Sequence, residues 1–226
     1  MWYNSFGKVV TVIVLCIVLL AAIAFGLLVF AQYRNIDTVN QTTNTTTPIL
    51  NYLTPDADDD PYLGTLTAAV EIIAFEDFQC PFCKEAEPIL YAIYQRYPND
   101  VRIVFRDFPL YTIHAQAIAA AQAGECADEQ GKFWVWHDLA FINQADLTAA
   151  PAVFSDWAEE ADLDVPDFEE CVASERYASE VQKDLNEGFL GGVSVTPTFF
   201  VNGQKIEGVV SEAQWIELIE AAILES

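Results

Sequence analysis

Ile72-Ile73-Ala74-Phe75-Glu76-Asp77-Phe78-Gln79-Cys80-Pro81-Phe82-Cys83-Lys84-Glu85-Ala86-Glu87-Pro88-Ile89-Leu90 carries an apolar strand into two cysteines, the second of which opens an amphipathic helix. Two thiols at this spacing can close a small disulfide ring. The start of a helix offers free N–H groups and the positive end of the peptide dipole, and both stabilise a thiolate. An ordinary cysteine, with a pKa of about 8.5, is only a few per cent ionised at neutral pH, whereas one near about 5 is ionised almost fully. Taken alone, the CxxC pair has three readings: half of a zinc site, a structural disulfide or a redox pair. Zinc requires two further Cys or His ligands. Cys126 and Cys171 are far apart in sequence, and His114 and His137 make no cluster with them. The strand–CxxC–helix context favours a redox pair without metal.

A second stretch, Gly192-Val193-Ser194-Val195-Thr196-Pro197-Thr198-Phe199-Phe200-Val201-Asn202-Gly203, places a proline directly before an apolar strand. Proline cannot donate to a sheet ladder, so it marks an edge or a special turn, and cis peptide bonds are nearly confined to X-Pro. A trans proline leading into the strand is the ordinary reading of this stretch in isolation. Four motifs occur in order: FEDFQCPFC (75–83), FRDFPL (105–110), ECADEQGKFWVWHDLAF (125–141) and VTPTFFVNG (195–203). Over roughly residues 60–226 the chain resembles the DsbA-like, BdbD-type thiol-disulfide oxidoreductases of the thioredoxin superfamily.

The resemblance implies an α/β, thioredoxin-like fold with an inserted helical subdomain at about 113–188. It assigns Cys80 as the exposed nucleophile and Cys83 as the buried resolving thiol, with Thr196 and a cis Pro197 facing them. The position of Cys80 just before the helix agrees with that assignment. The implied activity is dithiol-disulfide exchange that forms disulfide bonds in exported proteins, with no organic cofactor or metal. The implied partners are reduced or unfolded exported proteins and a membrane redox partner of the DsbB or VKOR type. A reductase or isomerase, and a non-catalytic holdase or adaptor, are the alternatives. Relatives often bury a carboxylate six residues before the nucleophile; here that position is Ala74. Glu76 lies two residues on, hence on the same strand face, and it, or Asp77 beside it, is expected to take part of that role. An exposed strand-end carboxylate is the bland alternative. Phe78, Phe82 and Phe108 are read either as an apolar floor for clients or as core.

Cys126 and Cys171 remain. Leftover cysteines in an oxidising compartment usually pair, so they are read as a structural disulfide, with a second redox pair or two buried free thiols as alternatives. His114 and His137 are read as helix-surface or capping residues.

Val9 to Ala31 is an uncharged, almost wholly apolar run. At about 1.5 Å per residue it spans the roughly 30 Å hydrocarbon layer and exceeds an ordinary signal h-region. It is read as an uncleaved transmembrane signal anchor within residues 1–34, with a cleaved signal peptide as the rival. The catalytic domain is then expected on the extracytoplasmic side of the cell membrane, where disulfides persist. Residues 35–66, with QTTNTTT and PDADDDP, read as a polar and acidic linker, and the domain as 67–226. A net charge of −24 argues against nucleic acid as a partner.

Strands are expected over Val70–Phe78, Val101–Phe105, Thr198–Val201 and Lys205–Gly208, with Asn202-Gly203 turning the last hairpin. A helix is expected over Cys83–Tyr97 and mostly helical structure from His114 to about Asn186. A closing helix is expected after Ser211, with Gln214 completing a capping box.

Overall fold

The computed structural model describes residues 60–225; the apolar run Val9–Ala31 and the polar stretch before Asp60 lie outside them. Among the described residues no helix is long and apolar enough to cross a membrane.

The elements follow in the order β1 (Tyr62–Leu63), β2 (Val70–Glu76), α1 (Pro81–Arg96), β3 (Val101–Asp107), α2 (Ala117–Asp128) and α3 (Phe133–Ile142). A 3-10 turn (Gln144–Ala149) leads to α4 (Phe154–Glu160), α5 (Val165–Ala173), α6 (Ala178–Leu190), β4 (Thr198–Val201), β5 (Gln204–Glu207) and α7 (Glu212–Glu225). The strands form one five-stranded sheet in the order β1-β3-β2-β4-β5. β2 and β3 are parallel, because α1 crosses between them. The β2–β4, β4–β5 and β1–β3 pairs are antiparallel. Strand-helix-strand followed by strand-strand-helix is therefore interrupted by a helical insertion, α2 to α6.

Alternation along β2 divides the core. Ile72 and Ala74 face α1 and α7, packing with Leu90, Ile93, Phe199, Trp215 and Ile219. Ile73 and Phe75 face the other way, onto Phe108, Leu185, Val193 and Phe200. A third cluster joins Phe78, Cys80, Cys83 and Phe105 to the aromatic core of the insertion around Trp136, Phe154 and Trp157. The even-numbered phase of β2 thus brings Glu76 onto the α1 side.

Local signals explain the boundaries. Pro81 occupies the first turn of α1, where its missing N–H costs nothing, so the helix begins at Pro81 rather than Cys83. β2 ends at Glu76, and β3 runs on to Asp107. Asn202 and Gly203 both have positive φ (45° and 87°), as a two-residue hairpin turn with matching twist requires. The Asn202 side chain accepts from Glu71 N at 2.8 Å and donates to Ala69 O at 3.1 Å, fastening the turn to β2. Ser211 and Gln214 form the capping box of α7: Ser211 N donates to Gln214 Oε1 at 3.3 Å, and Gln214 N to Ser211 Oγ at 3.4 Å.

The expected linker boundary needs correction. Within 35–66, Tyr62 and Leu63 pair with Val104 and Ile103 of β3, and Asp60 is buried against the Arg106 guanidinium at 2.7 Å. The ordered sheet therefore begins before residue 67. Arg106 also meets Asp184 at 2.7 Å and Glu187 at 2.9 Å, which ties α6 to β3. In the insertion, the sulfurs of Cys126 (α2) and Cys171 (α5) are bonded, with Cα atoms 5.9 Å apart.

Candidate active site

Cys80 is the N-cap residue of α1, in extended conformation (φ −74°, ψ 121°). Its thiol donates to the Thr196 carbonyl oxygen at 3.3 Å, and the Thr196–Pro197 peptide bond is cis. The loop before β4 therefore lies against the helix start, although 116 residues separate the two. Cys80 and Cys83 are free thiols, and both are buried, so Cys80 is not the exposed sulfur that the resemblance implied: the Thr196–Pro197 loop covers it.

The two sulfurs have opposite electrostatics. The Cys80 thiol is lowered to about 6, first by the hydrogen bond from Cys83, against the opposing cost of burial. Thr196 and the backbone N–H groups of Cys83 and Phe82 act in the same direction. The two contacts with Thr196 belong to different protonation states. Its carbonyl accepts from the neutral thiol, whereas its buried hydroxyl, without a hydrogen-bond partner among the described residues, favours the thiolate. The Cys83 thiol is pushed well up by burial, then by Cys80 and by the nearby Glu76 charge. At neutral pH the pair is thus one thiolate and one thiol.

Glu76 is buried beneath the pair at the end of β2, and neither carboxyl oxygen has a hydrogen-bond partner among the described residues. Burial raises its pKa well above the ordinary carboxylate range, and Glu87 and Cys80 add to the rise. Asp77 turns elsewhere. It accepts from Gln79 N at 2.7 Å and Leu110 N at 2.8 Å, and it meets His114 Nδ1 at 2.7 Å, holding the loop between β3 and α2. Of the two candidate carboxylates, only Glu76 faces the sulfurs without a competing structural bond.

Several residues sit differently from expectation. Phe78 and Phe108 are core; Phe82 alone of the three is exposed, at 58%. His114 lies in the loop ahead of α2 rather than on a helix surface. His137, expected at a surface or cap, is buried in α3 within a cage of rings, with Phe141 at 4.9 Å, Trp134 at 5.0 Å and Phe105 at 5.5 Å. Its Nε2 lies 3.3 Å from Glu87 Oε2, an ion-pair contact, and its Nδ1 lies 3.0 Å from Asp138 Oδ1. Burial opposes its charge, yet Glu87 and Asp138 raise its pKa to about 9. Sequence reasoning also passed over Glu87 and Gln144. Glu87 lies one helical turn beyond Cys83, a spacing that puts both on one face. Gln144 donates from Nε2 to Phe78 O at 2.8 Å and Cys80 O at 2.9 Å, so the insertion clamps the backbone of the loop that carries Cys80. A cavity of about 400 Å³ lies between α1 and α3, with Glu76, Glu87 and His137 in its wall.

A family model described as thioredoxin matches residues 56–221. Oxidised BdbD from Bacillus subtilis is similar at a TM-score of 0.68 and 25% identity, over 75% of this chain and 96% of that one. The catalytic domain of Proteus mirabilis ScsC (TM-score 0.66, 20% identity, 77% and 94% covered) and Wolbachia pipientis α-DsbA1 (0.65, 20%, 78% and 96%) share the fold. Among curated relatives, the Na(+)/H(+) antiporter NhaA 3 of Salinispora tropica is 39% identical over 177 residues, 78% of this chain and 26% of that protein. The chain spans about a quarter of the length of the curated relatives it matches.

Proposed function

The chain belongs to the thioredoxin family, and from that membership we propose that it is a thiol-disulfide oxidoreductase that forms disulfide bonds in exported proteins. The observation that carries this reading is the Cys80 thiol, lowered to about 6 at the start of α1 and set against the cis Thr196–Pro197 bond. In the oxidised enzyme a client thiolate attacks Cys80 Sγ and displaces Cys83. A second client thiolate then attacks the client sulfur of the mixed disulfide, and Cys80 leaves. The client loses two electrons and the cysteine pair gains them. A stabilised Cys80 thiolate is a good leaving group and makes the disulfide more oxidising, which favours oxidation of clients over their reduction.

Glu76 serves as the proton donor and acceptor for Cys83. A buried carboxyl held neutral can hand a proton to the departing Cys83 thiolate, and the same group can take it back when the pair is reoxidised. Exposed Phe82 and Val195 flank the nucleophile and offer apolar contact to an unfolded client. The backbone beside Pro197 is suited to pair with an extended segment. Val9–Ala31 would tether the domain at the membrane with its active site on the extracytoplasmic side. A membrane redox partner of the DsbB or VKOR type would reoxidise the pair.

Equilibration in glutathione buffers, with the state of each cysteine pair read by mass spectrometry, tests the reading. The expected potential for Cys80–Cys83 lies above the roughly −270 mV of thioredoxin. A value at or below that figure removes the oxidase reading, and undiminished client oxidation by Cys80→Ser removes the catalytic one.

A further inference from the structure

We propose that Gln144, from the helical insertion, is a positioning residue for the nucleophile. Its side-chain amide fixes the backbone that carries the Cys80 sulfur and draws on the negative charge of the carbonyl oxygens there, so the insertion tunes the thiolate through one side chain. This rests on the oxidoreductase reading above. Gln144 acts through the backbone of Cys80 and not on the sulfur itself.

Cys80 is held on both sides of its Cα. Its N–H donates to Asp77 O at 2.9 Å, closing a turn over residues 77–80. Its carbonyl accepts from Gln144 Nε2 at 2.9 Å, and the same nitrogen donates to Phe78 O at 2.8 Å. A primary amide has two N–H groups, so both are engaged by this one loop. Two bonds from a single planar group fix the two carbonyls relative to each other, and with them the extended ψ of 121° at Cys80. That torsion sets where the first N–H groups of α1 lie relative to Sγ. Those of Phe82 and Cys83 are the ones that favour the thiolate.

The same contact acts electrostatically. The Cys80–Pro81 peptide group has an oxygen but no N–H, because residue 81 is proline. Its negative end therefore sits beside the sulfur without the positive end that other peptide groups carry. Lys84 N reaches this oxygen at 3.2 Å, and Gln144 supplies the shorter bond at 2.9 Å. Donors on the oxygen lessen its repulsion of a thiolate on the same residue. Gln144 does this without a charge of its own. The titratable groups that interact with this sulfur, Cys83 on α1 and Glu76 at the end of β2, stay in place when Gln144 is replaced.

The amide is aimed from a fixed base. Leu147, in the same 3-10 turn, is fully buried in the cluster that contains Cys80 and Cys83. Lys84, in the first turn of α1, donates from Nζ to Ile142 O at 3.0 Å. The end of α3 and the start of α1 are thus joined by bonds donated in both directions, and Gln144 stands where the insertion meets the redox loop.

The test is the pH dependence of alkylation by iodoacetamide in the reduced full chain, read at Cys80 by mass spectrometry. Gln144→Met keeps the side-chain length and removes both donors without changing the charge. The acid dissociation constant of its Cys80 should fall by roughly two- to tenfold, the contribution of one ordinary hydrogen bond. The alkylation midpoint then rises from about 6. The equilibrium with glutathione should shift in the same sense, toward a less oxidising disulfide. Gln144→Glu is close to isosteric, turns a carboxylate on the two carbonyls, and should raise the midpoint further. A purely structural role lowers the melting temperature and leaves the midpoint where it was. A wild-type midpoint in Gln144→Met, whatever its melting temperature, overturns the proposal; if Gln144→Met does not fold, a wild-type midpoint in Gln144→Glu does so. The midpoint is read without a client. A wild-type protein that oxidises no client thiols, or does so equally as Cys80→Ser, therefore overturns the oxidoreductase reading alone.

Discussion

Replacing Cys83 with alanine should return Cys80 toward the behaviour of an ordinary thiol. The hydrogen bond from Cys83 is the largest influence holding the Cys80 thiolate at about 6. A hydrogen bond to a charged group contributes about 1.5–3 kcal/mol, and about 1.36 kcal/mol is tenfold in an acid dissociation constant. Its loss moves the Cys80 alkylation midpoint up from about 6 by roughly one to two pH units. At pH 7 the thiolate fraction then drops from about nine tenths to between about a half and a tenth. Alkylation by iodoacetamide slows by roughly two- to tenfold in proportion. The assay is the initial alkylation rate from pH 4 to 9, followed on the Cys80 peptide by mass spectrometry. The Cys126–Cys171 bond keeps those sulfurs out of the measurement. A midpoint still near 6 would refute the reasoning and assign the stabilisation to Thr196 and the helix N–H groups instead.

Three further outcomes follow from packing and charge. Removing the Cys126–Cys171 bond, whose partners are 45 residues apart, should cost about 4 kcal/mol by the chain-entropy relation; a denaturant midpoint unchanged in the double serine variant would contradict that. Gly188→Ala should destabilise despite alanine's better helix propensity, because a Cβ there would meet Phe108 at 2.5 Å and 2.6 Å. Overpacking of that kind costs about 1–3 kcal/mol against a propensity gain of roughly 0.5–1 kcal/mol, and urea unfolding shows which wins. Burial raises Asp184 to about 6 and Glu125 to about 10. Carboxyls with folded pKa values above the unfolded value of about 4 stabilise the fold fully below that pH, and the contribution fades as pH rises through the folded values. The melting temperature should therefore fall from pH 5 to pH 9, and Glu125→Gln should flatten the decline; a rise over that range would count against it.

The redox centre was legible because it is written locally. CPFC after an apolar run, and a proline before TFFV, are short patterns whose geometry follows from helix ends and sheet edges. The start of α1 was placed two residues late, at Cys83, because the weight given to the second cysteine overlooked that proline belongs in a first turn. What was hidden depends on partners distant in sequence. Tyr62-Leu63 is a strand only because β3 supplies its ladder; nothing in its own acidic, proline-flanked surroundings has period two. His137 sits in FWVWHDLAF, apolar all round, so no moment shows which side is buried. Its surroundings are decided by rings from β3, the loop after β2 and its own helix. Asp60 could be read only as a linker acid until Arg106, on another strand, was seen beside it.

The order of the sheet has a mechanical consequence. The chain reaches the sheet at β1, one margin, while Pro197 leads into β4, beyond the two parallel strands β3 and β2. Tension drawn through the amino-terminal segment would load the Asp60–Arg106 pair and the short β1–β3 ladder first. Under the proposed function, tension on the amino-terminal segment and capture of a client would thus bear on different strands, β1 and β4, with β3 and β2 between them.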